Sequence, residues 1–128
     1  AVTFIEKDRR AALVLRTTLE RLGGERTTLL ERDALTVLEK TAFPQPFNLV
    51  FIDPPFATPL AQAALTALVA GALLAPGAKV YVEMPKGTEL TLPRGFDLLR
   101  QTQAGESVAQ LVHWRPLRVT PEAVEARL

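Results

Sequence analysis

The chain contains no cysteine. That removes a disulfide framework, thiolate chemistry and a zinc ribbon together. It has one histidine, His113, which cannot build a metal cluster alone and is assigned no role. No apolar run approaches the roughly 20 residues that span a bilayer. An excess of either charge is also missing. The 15 Lys+Arg and 14 Asp+Glu leave a net charge of +1, so no strong field announces a nucleic-acid partner, and none is excluded. The opening residues, Ala1-Val2-Thr3-Phe4-Ile5, lack the charged region of a signal peptide, and the cytoplasm is the expected location. There is no initiator methionine, and the chain starts inside an apolar run, which suggests a piece of a longer protein. What is present is a chain of 128 residues, 48% hydrophobic, with mean hydropathy +0.13. That is one domain's worth of sequence with enough apolar surface for a core.

Along the chain, strand and helix signals alternate. Val2 to Ile5 is apolar and rich in β-branched residues, and ends at Glu6. Asp8 is a good N-cap, after which Ala12, Leu15, Leu19 and Leu22 fall on one helical face. Gly23-Gly24 stops that helix. Residues 27–30 form a second strand ending at Glu31-Arg32-Asp33, with Asp33 placed to cap a short helix over 34–41. Phe47 to Ile52 is apolar nearly throughout, as expected of a parallel strand covered on both faces. Leu60, Ala64, Leu68 and Ala72 form the next helical stripe, with Pro59 at its first turn and Pro76-Gly77 as its stop. A strand over 79–83 follows, then a Pro/Gly-rich link, then strands over 96–103 and 107–115 that form an antiparallel pair. Thr120-Pro121-Glu122 starts a short terminal helix.

This order predicts an α/β doubly wound sheet, mostly parallel, with an antiparallel C-terminal hairpin. Residues 1–115 are expected to be the domain and 116–128 a tail. In such sheets ligands bind beyond the carboxyl ends of the strands. Glu6, Asp33 and Asp53 occupy those ends, and Glu83 is a fourth. Each has a plain structural alternative. Asp33 in particular reads equally as a helix cap and as a ligand-binding group. Lys7, Arg9, Arg10 and Lys86 are able to meet phosphates, but read first as a solvated face.

The stretch "NLVFIDPPFATPL", residues 48–60, carries the chemistry. Pro54 and Pro55 lack N–H donors and fix φ near ~−65°, and a residue before proline is held extended. Asp53 and Pro54 therefore offer stiff acceptors beside the ring of Phe56. That set suits a flat ligand with an NH2 group: the Asp53 carboxylate and the Pro54 carbonyl accept from the amine, and Phe56 lies on the ring. Two such acceptors aim the nitrogen lone pair at an electrophile, which is catalysis by positioning and electrostatics.

"FIDPPF" resembles the catalytic motif of class I S-adenosylmethionine-dependent methyltransferases acting on exocyclic amines of bases. "VTFIEKDRRA" looks like that family's second motif, "ERDAL" its third and "AKVYVE" the strand after the fourth. Their order is most similar to the bacterial 16S ribosomal RNA guanine-N2 methyltransferases, from Ala1 to about Arg115. The resemblance implies a Rossmann-like sheet, S-adenosyl-L-methionine as cofactor, and 16S rRNA or the small ribosomal subunit as partner. It implies that Glu6 binds the cofactor's ribose hydroxyls, that Asp33 accepts from the adenine amine, and that the Ala34 N–H donates to the adenine ring. It assigns Asp53, Pro54, Pro55 and Phe56 to the guanine. The family carries a strand and a Gly-rich turn just before the position of Ala1, and that strand is central in its sheet. Both are missing here, so the sheet is expected to lack its first strand, and residues 1–128 alone are expected to bind the cofactor weakly or not at all. The strands at Val2 and Phe47 are then expected either to pair directly or to leave an edge through which the chain dimerises. Two other readings stay open: a DNA or other amine methyltransferase with the same motif, and an inactive fragment serving as an interaction module.

Overall fold

The structure is a computed structural model that describes residues 1–53 and 60–116. The chain divides into two compact units, Ala1–Pro44 and Gln45–Leu128. The expected terminal helix over 121–128 lies outside the described residues.

In the first unit, β1 (Val2–Ile5) leads into α1 (Arg9–Arg21), then β2 (Thr27–Leu30) and α2 (Ala34–Lys40). Asp8 caps α1 by accepting the Ala11 N–H at 2.8 Å. Ala12 is fully buried, and Leu15 and Leu19 are half-buried on the same face. Leu22 departs from the expected stripe: it is the C-cap of α1 and 77% exposed, because the chain has already left the helical course there. β1 and β2 form a two-stranded parallel sheet, paired from Val2↔Thr27 to Ile5↔Leu30.

The second unit holds β3 (Phe47–Ile52), α3 (Leu60–Ala70), β4 (Leu74–Pro85), β5 (Phe96–Ala104) and β6 (Ser107–Trp114). The four strands form one sheet in the order β3-β4-β6-β5, with β3 parallel to β4 and the β5–β6 hairpin antiparallel, as the sequence suggests. Val80, Val82, Met84 and Val112 are essentially inaccessible, as are Leu65 and Leu68 of α3, which packs against β4. This is the core of the unit.

α3 ends earlier than the stripe through Ala72 predicts. Gly71 N donates to Ala67 O at 2.9 Å and Leu73 N to Leu68 O at 3.0 Å, while Ala72 turns left-handed at φ 52°. The turn delivers Leu73 and Leu74 into the core, so burial wins over one more helical turn. β4 then begins at Leu74, not near residue 79. Pro76-Gly77 is not a helix stop. It lies inside β4, where the register against β3 slips between Phe47↔Leu74 and Leu49↔Lys79. Gly77, at φ 84°, permits that bulge.

β1 and β3 lie in separate sheets, so the direct pairing of these strands raised by the sequence is not formed. Among the described residues β3 pairs with β4 alone. On one face of β3, Leu49 is 53% exposed and Phe51 69% exposed.

Candidate functional site

In the first unit, parallel pairing brings both strand ends to one place. The Glu6 N–H donates to Leu30 O at 3.0 Å, extending the ladder by one residue. Glu6 is half-buried, and its Oε1 accepts the Asp8 N–H at 3.1 Å. That bond fixes the carboxylate beside the turn into α1. Its second oxygen has no hydrogen bond among the described residues, and a carboxylate so held has lone pairs for two adjacent hydroxyls.

Asp33 makes the helix cap that was one of its two readings. It is the N-cap of α2, and its Oδ2 accepts from Thr36 N and Thr36 Oγ1, both at 3.0 Å. The Thr36 backbone N–H, followed by the Thr36 hydroxyl, holds the carboxyl below its ordinary pKa; slight desolvation opposes them, and the nearby Lys7 ammonium assists. Capping occupies one oxygen and leaves Oδ1 for a donor such as an amine. Ala34 is the first residue of α2, where a backbone N–H has no partner within the helix. One end of this two-stranded sheet thus presents acceptors for hydroxyls, an acceptor for an amine and a backbone donor. Those are the groups that ribose and adenine require, and they fit the S-adenosylmethionine expected there.

In the second unit, Asp53 follows β3 and is exposed. Ile52 pairs with Val82, so Asp53 leaves the sheet at the carboxyl end next to Glu83. Pro54, Pro55 and Phe56 lie outside the described residues. In α3, Gln62 uses its side-chain amide like a short piece of strand: Nε2 donates to Thr91 O and Oε1 accepts from Thr91 N, both at 2.8 Å. These two bonds tie the β4–β5 connection to α3, and no local pattern in the sequence signals them. The sequence also placed Glu83 at a strand end without relating it to Asp53. Glu83 in fact lies inside β4, which runs on to Pro85 in its pairing with β6.

Lys7, Arg9, Arg10 and Lys86 are all exposed and form no ion pair among the described residues, in keeping with a solvated face. His113 sits in β6 opposite Lys79 and Asp97. No group of three or more His, Cys, Asp or Glu among the described residues is arranged to hold a metal, and none of their helices is long and apolar enough to cross a membrane.

Parallel strands ending in carboxylates, α3 laid on the core and an antiparallel hairpin completing the sheet define the Rossmann-like class I methyltransferase fold. A Streptococcus pyogenes conserved hypothetical protein superposes with TM-score 0.81 at 26% identity, covering 90% of this chain and 72% of the other. A Haemophilus influenzae protein assigned as a methylase superposes with TM-score 0.80 at 32% identity, covering 88% and 71%. The chain belongs to the family described as conserved hypothetical protein 95, whose profile matches residues 1–113. Ribosomal RNA small subunit methyltransferase D of Haemophilus influenzae is 33% identical over 106 residues, 81% of this chain and 55% of the relative. Its counterpart in Escherichia coli is 31% identical over 110 residues, 85% and 54%. The chain therefore spans about half the length of the curated relatives it matches.

Proposed function

We propose that the protein transfers a methyl group from S-adenosyl-L-methionine to the exocyclic N2 amine of a guanine in 16S rRNA. The observation that carries the reading is Asp53: an exposed carboxylate at the carboxyl end of a parallel strand, opening Asp-Pro-Pro-Phe, in a chain related to small-subunit rRNA methyltransferases.

Bound S-adenosylmethionine would supply a methyl group made electrophilic by its sulfonium. The chain's own groups position. Glu6 accepts from the ribose hydroxyls, Asp33 Oδ1 from the adenine amine, and Ala34 N–H donates to the adenine ring. Asp53 and the Pro54 carbonyl accept the two hydrogens of the guanine amine and aim its lone pair at the methyl carbon. Once methylated, the amine would release its excess proton to solvent. Pro55 would stiffen the stretch, and Phe56 would stack on the base. An rRNA substrate implies a cytoplasmic enzyme working on the small subunit or its RNA.

The test is transfer of labelled methyl to 30S particles, naked 16S rRNA and DNA, with products separated as nucleosides. It is run with the 128-residue chain and with a chimera that adds the parts of the Haemophilus influenzae relative lying outside the matched region. Label in N2-methylguanosine of RNA supports the proposal. Label in DNA or in another base, or no label from the chimera, overturns it.

A further inference from the structure

The carboxylate Glu83, inside β4 two residues before its end, has no task in the reading above, yet its place is well defined. The parallel register runs Val50↔Val80, Phe51↔Tyr81, Ile52↔Val82. Continued one step, that register sets Asp53, the residue just after β3, beside Glu83 of β4, at the strand spacing of about 4.8 Å. Side chains alternate along a strand, so both carboxylates project from the face that carries Phe51 and Tyr81. Those two rings, with centroids 5.8 Å apart, make an apolar floor two residues behind them. On its other side Glu83 pairs with Ala109, whose methyl group is too small to cover it. Glu83 is half-buried, and among the described residues neither carboxylate takes part in an ion pair.

One acceptor that holds an exocyclic amine does not select a base, because adenine, cytosine and guanine all carry one. What distinguishes guanine is the atom next to the amine. Guanine presents N1–H, a donor, beside its N2 amine. Adenine at N1 and cytosine at N3 present lone pairs beside theirs. A second carboxylate next to the first accepts the guanine N1–H, and faces a lone pair in the other two. A lone pair that faces a carboxylate gains no hydrogen bond and is repelled by it, so the wrong pattern is disfavoured. We infer that Glu83 is a specificity-determining residue, taking the N1–H of the target guanine while Asp53 takes an N2 hydrogen. This inference rests on the guanine-N2 reading and extends it.

The experiment compares guanosine 5′-monophosphate with the 5′-monophosphate of 2-aminopurine riboside, which keeps the 2-amine but lacks the N1–H. Both are titrated into the 128-residue chain and followed by amide NMR shifts. The parent is expected to prefer the guanine nucleotide by roughly tenfold or more, the worth of one hydrogen bond to a charged acceptor. Glu83→Ala should bring the two affinities together. Glu83→Gln keeps the shape and the fold, and its amide both accepts and donates, so it should do the same. Equal affinities in the parent, or a full guanine preference surviving in Glu83→Gln, overturn the inference while the guanine-N2 reading stands. If the parent binds neither nucleotide, the reading of the amine site falls and the inference falls with it.

Discussion

Replacing Gly95 with alanine tests how the hairpin is anchored. Gly95 precedes β5 with φ 106°, and its carbonyl accepts the Arg115 N–H at 2.6 Å. Trp114 lies across it and packs on Phe96, ring centroids 4.8 Å apart. A Cβ at position 95 would sit 2.7 Å from Trp114 Cζ3 and 3.0 Å from Cη2. Two costs combine. A positive φ in a residue with a Cβ costs about 1–2 kcal/mol, and forcing a ring out of a packed site about 1–3 kcal/mol more. The expected loss is about 2–5 kcal/mol, a large share of the roughly 5–15 kcal/mol that stabilises a domain. Trp114 is the only tryptophan in the chain, so urea unfolding followed by its fluorescence reports on both the global transition and the altered corner. A loss below about 1 kcal/mol with an unchanged native emission spectrum would refute the packing argument.

Asp53→Ala, in the chimera, should leave cofactor affinity near that of the parent and slow methyl transfer about 100-fold, the worth of one oriented acceptor; equal single-turnover rates would remove its role. Glu6→Ala should weaken S-adenosylmethionine binding there by about 1.5–3 kcal/mol, measured by calorimetry, with little change in melting beyond the lost bond to Asp8 N. A large melting loss at unchanged affinity would make Glu6 structural. Asp33 has a folded pKa below its ordinary 3.8. Its cap is therefore at full strength above that value and is lost as pH falls through it toward the lowered one. Acid titration by circular dichroism should show this loss in the parent and not in Asp33→Asn; identical acid sensitivity would contradict it. The 128-residue chain alone should bind S-adenosylmethionine more weakly than micromolar, and calorimetry showing micromolar binding would overturn that expectation.

The parts of this fold legible in the sequence are those where one signal acts alone. Asp8 and Asp33 precede apolar helical faces and do cap them. Phe47 to Ile52 is nearly all apolar and is a parallel strand, but the expected cover on both faces is not there, since Leu49 and Phe51 are exposed. Where two signals compete, the reading fails. Pro76-Gly77 looks like a helix stop, but the stop is at Gly71-Ala72, and an alanine turning left-handed leaves no trace in sequence. The burial of Leu73 and Leu74 decides that position, and burial depends on partners distant along the chain. The same holds for the site. The positions of Glu6, Asp33 and Ala34 are local signals, because each ends a strand or starts a helix. The Gln62 bonds to Thr91 join residues 29 apart, and the closeness of Glu83 to Asp53 depends on strand register, which local patterns do not contain.

The exposed edge of β3 has a practical consequence for handling the protein. Edge strands usually carry lysine, proline or a bulge that discourages further pairing. The stretch Phe47-Asn48-Leu49-Val50-Phe51-Ile52 has no charge and no proline, and its combination of β-propensity and apolarity is the signature of an aggregation-prone segment. Expression at high concentration should drive the chain into insoluble material, with this strand as the seed. A lysine gatekeeper at Phe51, whose side chain is already mostly in water, should raise the soluble yield while leaving the core of the sheet untouched.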